Sequence, residues 1–375
     1  MKRIPIQPRK DWVQKIESQG FLFYDLDNYY NETAAYEFST AEINAIEKAT
    51  AQIHEMCMEA VAHVIKNKLW SRMFIKPYFA EFIEKSWKED ACSFYGRLDL
   101  AYNNENIKLL EFNADTPTGL LEASVIQWHW LQEYNKSFDQ FNSIHEKLVS
   151  HIGACKSYFA NNQLHFTAVR NHTEDYMTVK YLEDCAVQAG VNTDFLYVDE
   201  ISLDAANRFC NLQGRPIDSI FKLYPWEWLF NEEFSQYLPM SNNVEISWVE
   251  PAWKAILSNK MLLVILHELF PDSPYILPAR FKQQPTGSYV RKPVFSREGA
   301  NVTIVKNGVV ADETGGEYGE EGFIYQQYTE LPNFSGNIPI IGSWLIGGIP
   351  AGMGIREGSK LITNNTSRFV PHYFN

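Results

Sequence analysis

Cysteine, basic charge and long apolar runs are scarce in this chain, and each scarcity removes a class of function. The five cysteines, Cys57, Cys92, Cys155, Cys185 and Cys210, are odd in number, scattered, and never paired as CxxC. That pattern predicts buried free thiols in a reducing cytosol. The formal net charge is −13, and no basic stripe relieves it. A phosphate-backbone surface needs such a stripe, so no nucleic-acid partner is expected. No stretch approaches the roughly 18 apolar residues of a membrane helix. The basic opening "MKRIPIQPRKDW" has no apolar run behind it, so it does not read as a secretory signal. A cytoplasmic protein without a membrane partner is expected. The GxxxxGK[ST] phosphate loop is missing, as are internal repeats and low-complexity tracts.

What is present belongs to a globular chain. Its 375 residues are too many for one small core, which predicts two or three subdomains. The 20 Tyr, 24 Phe and 10 Trp read as core and inter-domain packing, with a ring-stacking surface as the alternative. In "HEMCMEAVAH", His54 and Cys57 share a helix face, but the apolar spacing continues through the run and favours core over a thiol or metal site.

Residues 41–67 are apolar at helical spacing after Ser39 and Thr40, which can cap the start, and 119–134 reads as another helix. From about 163 the pattern changes. "LHFTAVR" reads as a strand, the next stretch as a loop and a helix ending at Gly190, and "NTDFLYVDEI" as a second strand. Strand, helix and strand over about thirty residues imply a βαβ unit and a parallel sheet. "SIFKLYPWEWLF" adds a strand before a proline-broken aromatic segment. After 251 a helix, "SNKMLLVILHELF", precedes short strands with glycine-rich turns, the signature of an antiparallel sheet with mobile loops. The division expected is 1–160 helical with a charged hairpin, 161–250 a βαβ-like substrate region, and 251–375 a nucleotide-binding region.

The charged hairpin is "YGRLDLAYNNENIKLLEFNADTPTG". With a turn centred near Glu105, Asp99 faces Glu111 and Arg97 faces Asn113. Spacing of two within each arm puts all four side chains on one face. Opposed carboxylates repel. A divalent cation removes that repulsion, and Mg²⁺ takes carboxylate, amide and phosphate oxygens. A solvated polar face is the equal alternative. "ADTPTG" adds the hydroxyls of Thr116 and Thr118 in a turn that can hold an anion or cap the next helix.

Lys292, in "SYVRKPVFSREGANV", stands near a strand end ahead of a loop containing Gly299, as a phosphate-binding lysine would. Lys260 opens the "NKMLL" helix, where the dipole also favours anions. Arg356 in "GMGIREG" is a third cation. Each of these, taken singly, also reads as a surface residue.

Together, "YGRLDL…LLEFNADTPTGLLEA", "LYPWEW", "EPAWKAILSNK", "VRKPVFSREGANV" and "GSWLIGGIPAGMGIREG" closely resemble the glutathionylspermidine synthase family. The likeness is to its short, synthetase-only bacterial members and covers nearly the whole chain. The resemblance implies an α/β, ATP-grasp-like fold and an ADP-forming carbon–nitrogen ligase that works through an acyl phosphate. It implies ATP and two Mg²⁺ ions, with a small-molecule acid and amine as partners. Its metal ligands fall on Asp99, Glu111 and Asn113, and its transition-state arginine on Arg97. Its phosphate lysines fall on Lys260 and Lys292, with Gly299, Gln326 and Arg356 on the nucleotide side. Thr116 and Thr118, in place of the family's serines, stand where hydroxyls approach a thiol-peptide substrate. Glu174 and Asp175 stand where an acidic pair meets a polyamine. "SREGANV" is the lid candidate. The amidase of bifunctional members is not expected here, nor is reversal of the product. The other readings are an ATP-grasp ligase with unrelated acid and amine substrates, a non-catalytic ATP-binding protein and a metal-dependent phosphohydrolase.

Overall fold

The structure, a computed structural model, describes residues 1–375 except Glu105, Ser241, Val244, Gln283, Asn365 and Thr366. Helix α1, Thr40–Lys66, starts where Ser39 and Glu42 bond each other's backbone in a reciprocal cap. Its buried stripe of Ile43, Ile46, Ile53, Cys57, Val61 and Val64 packs against the sheet that carries the charged hairpin. That hairpin is formed by β1, Tyr95–Tyr102, and β2, Ile107–Asn113.

After α2, Ile144–Ala154, comes the parallel unit. It consists of β3, Gln163–Ala168, α3, Thr173–Gln188, β4, Asn192–Tyr197, β5, Ser219–Leu223, and β6, Ser247–Val249. The order is β6-β5-β3-β4 with every pairing parallel, so the βαβ expectation holds. Helix α4, Met261–Leu269, starts immediately after Lys260, whose backbone N–H donates to Val294 O.

An antiparallel sheet follows from β7, Ala279–Phe281, β8, Tyr289–Pro293, β9, Thr303–Lys306, β10, Val309–Glu313, and β11, Phe323–Gln327. Its order is β7-β11-β8-β9-β10. The long strands β12, Ile338–Ile346, and β13, Ile349–Gly358, then return to β1, with β14, Arg368–Val370, at the edge. The resulting sheet, β14-β13-β12-β1-β2, brings residues 338–370 beside residues 95–113. The α/β class expected from the sequence is the one observed. No helix among the described residues is long and apolar enough to cross a membrane.

Three details depart from the sequence reading. Arg97 does face Asn113 and Asp99 does face Glu111, but the register then shifts and Leu100 faces Leu109. Leu110 is therefore the extra residue of a bulge. The predicted turn centre, Glu105, lies outside the described residues. The helix expected over 119–134 is π-helical over Glu122–Ile126 and continues as a regular α-helix over Gln127–Tyr134. Here Ser124 Oγ donates to Leu120 O, and Gln127 Nε2 bonds both Ala123 O and Met353 O. Side-chain bonds of this kind compete with the regular backbone ladder.

The third departure concerns cysteine. Cys92 and Cys155 form a disulfide across 63 residues, which corrects the expectation of five free thiols. Sequence spacing could not show it, because the contact arises in the fold. Cys92 precedes β1, Cys155 follows α2, and α2 packs on β12, the neighbour of β1. Cys57, Cys185 and Cys210 are buried free thiols, as expected.

Candidate active site

The charged face of the hairpin is built around one arginine. Arg97 Nε donates to Asp99 Oδ1 at 2.7 Å and Nη2 to Oδ2 at 3.1 Å, while Nη1 reaches Thr118 O at 2.6 Å. Gly342 faces Asp99 from β12, and a Cβ there would lie 2.7 Å from Arg97 Cδ. The glycine makes room for the arginine. Across the hairpin, Lys260 Nζ stands 3.4 Å from Glu111 Oε2. The Asn113 amide nitrogen contacts Asp99 Oδ2 at 3.1 Å and Glu111 Oε1 at 3.3 Å.

The two opposed carboxylates thus have different protein partners. Burial pushes both up. For Glu111, Lys260, Lys292, the Asn113 hydrogen bond and Arg97 outweigh burial and hold the group down at about 2. For Asp99, burial wins over Arg97 and the group lies above its ordinary value. The donor set of two carboxylates and one amide on a single face fits Mg²⁺, which prefers hard oxygen. A half-turn of the Asn113 amide would bring its oxygen to the place its nitrogen now takes between the two carboxylates.

Asp99 and Glu111 also border a cavity of about 110 Å³ that takes in Lys260, Lys292, Gly299 and Gln326. Its walls include Val290, Ile304, Ile340 and Leu361, so a charged floor meets apolar sides. Lys292 Nζ donates to Gln326 Oε1 and to Leu110 O, both at 2.9 Å. Gln326 Nε2 donates to Leu109 O at 3.0 Å. The bulge in β2 therefore presents its carbonyls to side chains of the second sheet. Burial lowers Lys292 to about 8, against the attraction of Glu111. Gly299, at φ 68°, lies where a Cβ would come within 2.5 Å of Thr363 O, so only glycine allows this loop against the chain at 362–363.

Arg356 borders an adjacent cleft with Arg97, Asp99 and Thr118, and its Nη2 donates to Asn364 O at 2.7 Å. Thr116 lies behind the hairpin, in a small cavity shared with Glu111, Lys260 and Arg297. Glu174 and Asp175 line none of these cavities. They occupy the first turn of α3, where Asp175 lies 3.2 Å from His172 and, chiefly through that hydrogen bond, raises it to about 9.

Sequence reading missed four neighbours of the site. Arg297 Nη1 donates to Thr116 Oγ1 at 2.6 Å and Nη2 to Glu227 Oε1 at 2.8 Å, so "SREGANV" is pinned to both the turn after β2 and "LYPWEW". Lys222 Nζ donates to Asp115 Oδ1 at 2.8 Å, and Trp226 N to Asp115 Oδ2 at 2.8 Å. This buried pair braces the turn that follows β2, and losing one partner costs about 3–5 kcal/mol. Glu122 is 1% exposed and accepts from Tyr29 Oη at 2.7 Å. Burial, with Glu174 adding to it, pushes Glu122 up to about 7. Arg297 and Glu227 sat inside quoted motifs and were legible as charges within them. Glu122 also lay inside one, in "LLEFNADTPTGLLEA", but read as an ordinary helix residue, and nothing distinguished Lys222 from an ordinary strand residue.

Comparison with known proteins places these motifs. The family model described as "Glutathionylspermidine synthase preATP-grasp" matches residues 3–375. The chain is 41% identical to a Haemophilus influenzae protein named "Putative acid--amine ligase", each covered over its full length. It is 30% identical to trypanothione synthetase of Crithidia fasciculata, with 85% of this chain and 53% of that protein covered. It is 28% identical to the bifunctional glutathionylspermidine synthetase/amidase of Escherichia coli K12, with 86% of this chain and 56% of that protein covered. The chain thus spans about half the length of these two synthetases.

Proposed function

Because the chain belongs to the glutathionylspermidine synthase family, we propose that it is an ATP-dependent, ADP-forming ligase that joins a small carboxylic acid to an amine through an acyl phosphate. The observation that carries the reading is the meeting of Lys260, Lys292, Asp99 and Glu111 around one cavity, with Arg97 bound to Asp99.

In this reading Lys260 and Lys292 grip the phosphates of ATP, and the apolar walls with Gly299 and Gln326 seat the nucleoside. Asp99, Glu111 and Asn113 would hold Mg²⁺, as two ions. When bound, the metal neutralises phosphate charge and aligns the terminal group. Phosphoryl transfer needs positioning and charge neutralisation more than covalent help. Arg97 supplies charge where it develops as the acid's oxygen meets the γ-phosphorus, and Arg356 supports the same cleft. The loop at 296–302, latched by Arg297, keeps out water that would hydrolyse the acyl phosphate.

The acid approaches along Thr116 and Thr118. The amine is recognised by Glu174 and Asp175, whose carboxylates complement a polyamine. A glutathione-like acid and a spermidine-like amine are the substrates this reading favours, in a cytoplasmic protein. The proposed division has a helical region to 160, a substrate region over 161–250, and a nucleotide region from 251.

The test is incubation with MgATP and pooled thiol peptides, amino acids and polyamines, followed for ADP and new amide mass. ADP that requires both acid and amine supports the ligase. ADP released without either makes it a hydrolase, and ATP binding without turnover makes it a sensor.

A further inference from the structure

Away from the nucleotide cavity, three reactive groups from two separate elements meet at the end of α2. Cys155 follows the helix, His151 stands one turn earlier, and Cys92 comes from the loop ahead of β1. Their two sulfurs and an imidazole nitrogen all lie within 4.8 Å of one another. His151 Nε2 is 3.6 Å from Cys155 Sγ and 2.9 Å from Ser93 O, so the ring is held beside the sulfur by the loop that carries Cys92. Cys92 and Cys155 are the pair joined as a disulfide.

Access is uneven. Cys92 and Cys155 are 8% and 5% exposed, but Cys92 borders a cavity of about 290 Å³ whose wall also includes Ser86, Glu89, Tyr158 and Ser247. The other cysteines lack this setting. Cys57 and Cys185 are fully buried, and burial pushes the Cys185 thiol up to about 12. A thiol reacts as its thiolate, which a neighbouring imidazole favours and apolar burial opposes.

We propose that Cys92 and Cys155 form a thiol–disulfide exchange centre that reacts with low-molecular-weight disulfides admitted by this cavity. The Cys92 thiolate attacks one sulfur of the reagent disulfide. The reagent S–S bond breaks, a mixed disulfide forms on Cys92, and one reagent thiolate leaves and takes up a proton. The Cys155 thiolate, stabilised by His151, then attacks the Cys92 sulfur and expels the second reagent thiolate. Two thiols of the protein are oxidised to one disulfide, and the reagent disulfide is reduced to two thiols. In a reducing compartment such a pair cycles instead of staying locked. The product bond ties the end of α2 to the loop whose Ser93 Oγ, Phe94 N and Tyr95 N are already held by Glu250, directly ahead of Arg97.

The test uses the full chain equilibrated with graded ratios of glutathione to glutathione disulfide, then acid-quenched and alkylated. The expected result is a two-electron transition in which Cys92 and Cys155 lose their alkylation together while Cys57, Cys185 and Cys210 do not change. Cys155→Ser should trap one glutathione adduct on Cys92, and His151→Ala should slow closure of the disulfide by roughly tenfold. The wild-type titration needs no variant to fold. A disulfide that persists at every ratio, with no adduct in Cys155→Ser, overturns the proposal in favour of a structural bond. Adducts spread over the other cysteines overturn it too. So does a reduced protein carrying one zinc ion that resists the disulfide, since the cluster is then a metal site.

Discussion

Arg97 grips both carboxylate oxygens of Asp99, at 2.7 and 3.1 Å, from two residues away on the same strand. Glu111, directly opposite Asp99, is answered instead by Lys260 from the start of α4. The hairpin therefore holds two acids side by side without leaving either unbalanced, and each stays available to a cation.

Glu111→Gln replaces one acceptor oxygen with an NH₂ group and should lower ligation by about a thousandfold. Glu111 also balances Lys260 and Lys292, so some stability goes with it, and ligation is to be read well below the variant's own melting temperature. Asp99→Asn should act similarly, and the double variant should lose far less than the sum of the two. Near-normal turnover of Glu111→Gln at saturating Mg²⁺ makes the hairpin structural.

Binding and turnover should separate on two cations. Lys292→Ala should weaken ATP binding by about tenfold or more, since a charge-assisted contact is lost. Arg97→Ala should change ATP affinity little and reduce kcat by about 10²–10³, because its charge is used in the transition state. Isothermal titration with a non-hydrolysable ATP analogue, beside steady-state kinetics, reads both. Unchanged affinity in Lys292→Ala removes that lysine from the site.

The ATP affinity should also depend on pH with a definite sign. Lys292 is lowered to about 8 by burial, so in the free protein it is charged below that pH and neutral above. Affinity should fall as pH rises through about 8, and the bound phosphates should shift the midpoint upward. Lys292→Arg stays charged and should flatten this limb. An identical pH profile for wild type and Lys292→Arg contradicts the assignment.

Arg297 links the 296–302 loop to Thr116 and Glu227. Arg297→Ala should leave ATP binding nearly intact and raise the share of ADP formed without amide, as water reaches the acyl phosphate. Arg297→Lys cannot span both partners in a planar fork and should not rescue. Tight stoichiometry of ADP to amide in Arg297→Ala shows that the latch does not exclude water.

Glu174→Gln should raise KM for a polyamine several-fold and leave KM for ATP alone, because the loss is a single charge-assisted contact. The preference for a polyamine over a mono-amine of similar length should shrink with it. If wild type prefers an amino acid from the start, the polyamine part of the proposal fails and the ligase part survives.

How much of this was readable before folding depends on the range of the interaction. The opposition of Arg97 to Asn113 and of Asp99 to Glu111 followed from alternation within one hairpin, and so did the shared face. The Leu110 bulge did not, because two adjacent leucines fit either register, and its carbonyl is fixed by Lys292 from 182 residues away. The βαβ unit was legible from local periodicity, whereas the return of β12 and β13 to β1 was not. Glu122 was hidden because a glutamate in a helical stretch is usually solvated. It is the fold that buries it, with Tyr29 donating to it and the charge of Glu174 nearby. The Cys92–Cys155 bond was missed for the same reason.

The most direct test of the central claim follows the acid's own oxygen. With the acid identified from the ADP and amide assay, its carboxylate is labelled with ¹⁸O and ligation is run in unlabelled water. An acyl phosphate transfers one labelled oxygen to inorganic phosphate when the amine displaces it, so phosphate carrying a single ¹⁸O, formed one for one with amide, is the predicted result. Phosphate whose new oxygen comes only from water contradicts the acyl-phosphate ligase.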